Sequence, residues 1–168
     1  MADIVNSNLY DFNAGTLKKG ARVVIVRTEW NAAVINRLQE GAEEVLKLYD
    51  VNPTIVTVPG AFEVPFGIAA HWRTHSDSAT APDAYIALAC VIRGDTPHFD
   101  YVCQGITEGI TRLNVALPVP VIFGVLTVDT GEQAEERIGG KHGHKGKEAA
   151  MTALKMIVLN GSFWSNEY

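Results

Sequence analysis

A histidine beside a helix start is the first feature of the sequence that could do chemistry. Residues 93–98 read Arg-Gly-Asp-Thr-Pro-His, and Thr96 before Pro97 predicts an N-cap followed by proline at the first helical position. The free N–H groups of that helix start, next to Gly94, predict an anion site suited to phosphate. His98 would lie in the first turn beside it, where an imidazole can transfer protons near neutral pH. The alternative is a solvated surface histidine.

Two other short segments hold side chains that could bind a planar, hydroxylated ligand. Trp30 could stack on a heterocycle while Asn31 offers amide hydrogen bonds, although a tryptophan at such a corner can also serve packing alone. In the segment 59–63, Pro-Gly-Ala-Phe-Glu, Gly60 allows a ligand to approach the backbone closely. Glu63 could accept hydrogen bonds from a polyol, or only compensate a helix dipole.

A glycine-rich basic stretch, 139–147, has the composition of a phosphate-binding Walker loop but not its pattern. Lys147 is followed by glutamate rather than serine or threonine, and no strand directly precedes the stretch. No G-x-G-x-x-G follows the first predicted strand, so a dinucleotide site is not predicted. His142 and His144 lack further ligands at fixed spacing, so no metal site is predicted. Arg137 is the better phosphate clamp, because its guanidinium fork matches phosphate oxygens.

Alternating strand and helix patterns must position these residues. Four β-branched, nearly continuously apolar segments predict buried parallel strands at 21–27, 54–58, 84–92 and 120–128. Helical spacing predicts helices at 31–49, 61–75, 99–116, 131–138 and 147–160, with Gly161 as a stop signal. This order predicts an α/β fold, a three-layer αβα sandwich around a central, mainly parallel four-stranded sheet. Ligands of such sheets collect beyond the carboxyl ends of the strands, where the segments above lie.

Length, charge and cysteine content narrow the function classes. The 168 residues predict a single domain, 1–168, with an N-terminal arm at 1–19. A net charge of -5 argues against a nucleic-acid partner, and no apolar run is long enough to span a membrane. We see no secretory signal, and Cys90 and Cys103 lie in apolar segments as expected of buried, reduced thiols. A cytoplasmic protein is therefore predicted, with a catalytic cysteine as the alternative interpretation of the thiols.

Together, these motifs resemble the 6,7-dimethyl-8-ribityllumazine synthase family. The matching elements are Trp30-Asn31, the segment 59–63, Gly-Asp-Thr-Pro-His-Phe-Asp-Tyr-Val at 94–102, Phe-Gly-Val-Leu-Thr at 123–127, Glu-Gln-Ala-Glu-Glu-Arg at 132–137, Lys141, and Lys145-Gly146. They occur in order from about residue 20 to residue 160. The resemblance implies a flavodoxin-like fold. It also implies condensation of 5-amino-6-(D-ribitylamino)uracil with 3,4-dihydroxy-2-butanone 4-phosphate, releasing phosphate and water without metal or organic cofactor.

The resemblance also implies roles for individual residues. Trp30 is expected to stack on the pyrimidine, with Phe123 contacting it from a neighbouring subunit. The pyrimidine and its ribityl chain are expected to be held by Ala61, Phe62 and Glu63 and by the backbone of Cys90, Val91 and Ile92. Asp95, Thr96 and Arg137 would bind the phosphate side, His98 would donate and accept protons, and Lys145 would lie close to the reacting groups.

Three departures from the family pattern concern affinity and assembly. Trp30 stands where phenylalanine is frequent, His144 stands where asparagine is common, and the loop at 138–140 varies. Family members form homopentamers, and in some of them the pentamers build a 60-subunit icosahedral shell, which the compact 139–146 turn favours here. Two alternative functions remain: a paralogue of the riboflavin-synthase type, and a non-catalytic container that binds lumazine or flavin.

Overall fold

The computed structural model describes residues 8–164 and has a parallel sheet at its centre. In chain order the elements are β1 Val23–Thr28, α1 Ala32–Leu48, β2 Thr54–Val58, α2 Val64–His75, β3 Ala84–Ile92, α3 His98–Ala116, β4 Val121–Val128, α4 Gly131–Glu135, β5 Ile138–Gly140, β6 Gly143–His144 and α5 Lys145–Trp164. Short 3₁₀ turns occupy Ala14–Thr16 and Ala61–Glu63. Residues 1–7 of the predicted arm lie outside the described residues, and the single-domain assignment stays a prediction.

The four predicted strands form one sheet in the order β2-β1-β3-β4, and every pair in it is parallel. The register aligns Ile25 of β1 with Ile55 of β2 and with Ile86 of β3. One expectation was wrong: β2 is not a buried strand. It lies at the edge of the sheet, so Thr54, Ile55 and Thr57 are exposed and only Val58 is buried.

Helices cover both faces of the sheet, which confirms the three-layer αβα sandwich of the flavodoxin-like type. On one face α1 and α5 pack on β1, β3 and β4, with Leu38 and Leu154 fully buried. The opposite face is covered by α2 and α3, which bury Ile68 and Ile106. Gly146 makes the α1–α5 contact possible, because a Cβ there would lie 2.0 Å from the Leu38 carbonyl oxygen.

The last third of the chain departs from the sequence prediction at two points. The helix predicted at 131–138 ends at Glu135, and Ile138 instead begins a small antiparallel hairpin, β5–β6. Gly161 does not stop the last helix, which continues to Trp164. A glycine ends a helix when it adopts positive φ, and Gly161 is not among the glycines that do. None of the helices within 8–164 is long and apolar enough to cross a membrane.

Backbone hydrogen bonds continue past the ends of the strands and bring the functional segments together. Glu29 donates to the Val58 carbonyl at 2.9 Å, and Trp30 donates to the Pro59 carbonyl at 3.3 Å. At the other side of the sheet, Arg93 donates to the Val128 carbonyl at 2.9 Å. The segments after β1, β2 and β3 therefore converge at the carboxyl edge of the sheet.

Candidate active site

A cleft of about 760 Å³ opens at the carboxyl ends of β1, β2 and β3. Ten residues proposed from the sequence line it: Trp30, Asn31, Ala61, Phe62, Glu63, Cys90, Val91, Ile92, Thr96 and His98. Most of its wall is apolar, with a few polar groups, as is usual for sites that bind small molecules. Most of the site residues predicted from the sequence and from the resemblance therefore line one cavity at the carboxyl ends of the strands.

The corner between β1 and α1 presents Trp30 to the cleft. Trp30 is 74% exposed in the single chain, so it does not pack in the core of its own chain. Asn31 adopts a left-handed conformation, with φ of 57°, that lets the chain turn directly into the helix. Its Nδ2 donates to the Cys90 carbonyl at 2.8 Å. The Asn31 amide was expected to face a ligand, but its Nδ2 instead connects the ends of β1 and β3.

A second aromatic ring is held over the cleft by the third helix. Phe62 lies in the 3₁₀ turn before α2 and is 61% exposed. Its ring lies against Gly105 of α3, where a Cβ would come within 2.4 Å of Cε2. Glu63 folds back over Gly60, with its Oε2 2.9 Å from where a Cβ would stand. These contacts fix the direction of the 59–63 segment beside Trp30.

The two thiols have properties that disfavour nucleophilic catalysis. Cys90 is buried near the end of β3, and burial raises its pKa to about 11. Cys103 is only partly buried, contrary to the sequence prediction, and its pKa is also raised, mainly by desolvation. A raised pKa leaves the reactive thiolate scarce at neutral pH. Cys90 therefore contributes to the cleft as part of its wall, through its backbone and the space that its side chain fills.

The loop between β3 and α3 supplies the polar side of the cleft. His98 is the first residue of α3, and its backbone N–H donates to Thr96 Oγ1 at 3.4 Å. The predicted cap is shifted by one residue, because Pro97, and not Thr96, is the N-cap of α3, and it makes no side-chain capping bond. His98 and Thr96 line the cleft, whereas Asp95 is exposed on the loop and does not.

Two other predicted residues lie around a second depression of about 410 Å³. Phe123 on β4 is 40% exposed there, and Lys145 at the start of α5 lines the same depression. The ammonium group of Lys145 forms an ion pair with Glu148, one turn further along α5. Neither residue lines the cleft that holds His98 in the same chain.

Arg137 lines neither of these two cavities. It follows α4, is partly buried, and its carbonyl accepts a 2.8 Å hydrogen bond from the Lys145 N–H. The β5–β6 hairpin therefore ties Arg137 and Lys145 to each other. Within one chain, Arg137 does not line the cleft to which Thr96 contributes.

Several residues of the cleft were not predicted from the sequence as site residues. Phe99, Tyr101 and Val102 of α3 line it together with Pro59 and Gly94. Helical spacing indicates Tyr101 and Val102, because residues three and four positions after His98 lie on the same face of the helix. Arg93 was also not assigned a role, yet it contacts Asp129 and Asp100 at the rim of the sheet.

The remaining histidines of the C-terminal hairpin have local partners. His142 Nε2 lies 3.3 Å from Glu136 Oε2, and the His144 ring packs against Gly41 of α1. Among residues 8–164, no three or more His, Cys, Asp or Glu side chains are grouped so that they could hold a metal ion. The sequence prediction of a reaction without metal or cofactor stays a prediction.

Comparison with known proteins gives one consistent family. The sequence profile of 6,7-dimethyl-8-ribityllumazine synthase matches residues 20–160. A protein of that name from Porphyromonas gingivalis is 50% identical over 157 residues, covering 92% of this chain and 94% of the relative. One from Parabacteroides distasonis is 46% identical over 155 residues, with 90% and 94% covered. One from Bacteroides fragilis is 50% identical over 136 residues, with 79% and 92% covered.

Proposed function

The chain belongs to the 6,7-dimethyl-8-ribityllumazine synthase family, and from this we propose that it is a transferase of riboflavin biosynthesis. The reaction is the condensation of 5-amino-6-(D-ribitylamino)uracil with 3,4-dihydroxy-2-butanone 4-phosphate, with release of phosphate and water. The observation that carries the proposal is the cleft itself. Two exposed aromatic rings line it together with Thr96 and His98, which lie at the start of α3.

The aromatic side of the cleft suits the pyrimidine. Trp30 and Phe62 offer faces on which a planar ring can stack, and their exposure shows that the fold does not need them for its core. Glu63 offers carboxylate oxygens to the hydroxyls of the ribityl chain. Ala61 and the backbone of Cys90, Val91 and Ile92 form the adjoining wall. Trp30 retains the stacking surface that phenylalanine gives in other members.

The polar side of the cleft suits the proton transfers. An amine that attacks a ketone must lose a proton, and the resulting carbinolamine must lose water to form the imine. We assign both transfers to His98, which lines the cleft at the start of α3. Holding both substrates in one cavity provides much of the remaining acceleration.

The phosphate needs more positive charge than this cleft contains. Its lining, within the described residues, includes neither lysine nor arginine. Asp95 and Thr96 lie on the loop at the start of α3, where the positive end of the helix dipole attracts an anion. The additional charge in our proposal is Arg137 of a second copy, which neutralises the departing phosphate. The same copy brings Phe123 to the pyrimidine and Lys145 to the reacting groups.

This arrangement requires self-association, which we propose is a homopentamer. We propose further that the pentamers build the 60-subunit icosahedral shell, which a compact turn before α5 favours. The β5–β6 hairpin is such a turn, because only Lys141 and His142 separate Gly140 from its partner Gly143. We also propose a cytoplasmic enzyme without cofactor, whose partners are small substrates and its own copies. No observation favours the paralogue of the riboflavin-synthase type or the non-catalytic container.

The proposal is tested by measuring lumazine formation from the two substrates without added metal or cofactor. We expect turnover by the wild type and a loss of about a hundredfold or more in kcat/KM in Arg137→Ala, mainly in the use of the phosphorylated substrate. Arg112→Ala is the matched control, because this arginine lies on α3 and is 84% exposed. Folded wild type that binds lumazine or flavin without turnover would overturn the synthase assignment and favour the container.

A further inference from the structure

Arg93 is the first residue after β3, at the beginning of the loop that carries Thr96 and leads to His98. Its backbone is still part of the sheet, because its N–H donates to the Val128 carbonyl at 2.9 Å. From Gly94 to Pro97 the chain has no regular structure and is exposed. This loop contains Asp95 and Thr96, to which we assign phosphate binding. His98, to which we assign proton transfer, follows the loop directly.

The Arg93 side chain connects both ends of that loop to the sheet. Its Nε donates to Asp129 Oδ1 at 2.7 Å, just after β4. Its Nη1 donates to Asp100 Oδ1 at 3.2 Å, in the first turn of α3. The guanidinium carbon also lies 4.0 Å from the centroid of the Phe99 ring. One planar group thus fixes the first turn of α3 relative to the end of β4.

The connection extends beyond β4 to the next helix. The Asp129 N–H donates to Gln133 Oε1 at 2.8 Å, which ties Asp129 to α4, and Arg137 lies two residues beyond the end of α4. Arg93 does not line the cleft, and its fork already contacts two carboxylates. Exposed ion pairs add little to stability, so these contacts have their main effect on geometry.

We propose that Arg93 is a positioning residue that holds the 93–97 loop and the first turn of α3, so that Thr96 and His98 face the substrates. The inference rests on the proposed function. Lysine carries the same charge but cannot reach both carboxylates and stack on Phe99 together, since it lacks the planar fork. The shape of the guanidinium group, as well as its charge, is therefore required.

The kinetic test compares Arg93→Lys and Arg93→Gln with Arg112→Gln, a matched change on the exposed face of α3. We expect Arg93→Gln to lower kcat and kcat/KM for the phosphorylated substrate by about tenfold to a hundredfold, because small misplacements of reacting groups have effects of that size. The KM for the pyrimidine should stay within about twofold, since Trp30 and Phe62 are untouched. Arg93→Lys should recover part of the loss. Wild-type kinetics in Arg93→Gln, or a KM for the pyrimidine that rises well beyond twofold, would overturn the inference.

A second measurement does not depend on activity. The His98 N–H donates to Thr96 Oγ1 and the Asp100 N–H donates to the Pro97 carbonyl, so both amides report on the loop. We expect hydrogen exchange at these amides to become about tenfold faster in Arg93→Gln but not in Arg112→Gln. Unchanged exchange would contradict the positioning role even if the wild type proved to be no synthase. Absence of turnover by the wild type, together with faster exchange in Arg93→Gln, would contradict only the proposed function and not the positioning role.

Discussion

At the scale of single residues, His144 is a side chain with a buried ring nitrogen, and it lies in the hairpin that connects Arg137 to Lys145. Its ring lies so close to α1 that a Cβ on Gly41 would come within 2.1 Å of Cε1. Its Nδ1 is buried without a hydrogen-bond partner. Desolvation lowers the pKa of His144, and the nearby charges of Lys147 and Arg37 lower it further, against the raising effects of a backbone hydrogen bond and of Glu44. The folded protein therefore favours the neutral imidazole.

This lowered pKa predicts a loss of stability in acid. The unfolded chain takes up the proton near the ordinary histidine value of 6.5, whereas the folded chain takes it up only at lower pH. The contribution of His144 is thus complete above about pH 6.5 and is lost as the pH falls toward the folded pKa. We expect His144→Asn to lose less unfolding free energy than the wild type between about pH 7.5 and about pH 5.

Urea denaturation at both pH values, at one protein concentration, measures this difference. His71, whose pKa is also lowered by burial, is present in both proteins and its contribution cancels. His98→Asn is the control, because it removes an exposed imidazole. An equal pH dependence in His144→Asn and the wild type would show that His144 does not titrate as inferred.

The sequence predicted the types of residues in the cleft better than their contacts. Trp30, Glu63 and His98 could be placed because each follows a strand that is apolar enough to identify. The bond from Asn31 to the Cys90 carbonyl could not, since it depends on β1 and β3 being neighbours in space. Arg93 was overlooked for the same reason: its partner Asp129 lies 36 positions further along the chain.

At the scale of elements, continuous apolar strands were predictable and short glycine-rich ones were not. The residues of β3 are nearly all buried, so its bounds, Ala84–Ile92, follow from composition alone. The β5–β6 hairpin has little apolar pattern, and its turn depends on positive φ at Gly139 and Gly143. Such pairing is set by backbone conformation rather than by hydrophobic periodicity, and this explains why Ile138 was expected in a helix.

The contact between α3 and the 3₁₀ turn before α2 gives a prediction at this scale. Alanine at Gly105 improves helix propensity by up to about 1 kcal/mol, but its Cβ would occupy the space of the Phe62 ring. We expect Gly105→Ala to fold and to raise the KM for the pyrimidine by about tenfold, with the phosphorylated substrate little affected.

Steady-state kinetics with each substrate varied in turn measures this effect. Gly161→Ala is the matched control in α5, because nothing lies within 4 Å of its Cβ position. This control should keep both KM values and gain up to about 1 kcal/mol of stability. If Gly105→Ala binds the pyrimidine as the wild type does, the ring of Phe62 is not part of the binding surface.

At the scale of the whole molecule, the proposed active site is divided between two copies of the chain. One copy offers the cleft with His98, and the other offers the surface around Phe123, Lys145 and Arg137. The described lining of the cleft has apolar walls and no lysine or arginine, whereas Lys145 lines the second depression and its N–H is bonded to the Arg137 carbonyl. Neither part alone can stack a pyrimidine and neutralise a phosphate.

Mixing two inactive variants tests this division directly. Oligomers are assembled at random from equal amounts of His98→Gln and Arg137→Ala. The cleft of a site is intact when an Arg137→Ala chain supplies it, in about half of cases, and the neighbouring arginine is intact when a His98→Gln chain supplies it, also in about half. We expect lumazine formation at about one quarter of the wild-type rate, measured after co-expression or joint refolding. Mixing His98→Gln with Thr96→Ala is the control: both changes affect the cleft part, so no site with an intact cleft can form. If His98 and Arg137 of the same chain formed one site, every site would carry a defect, and the mixture would stay at the background of the single variants.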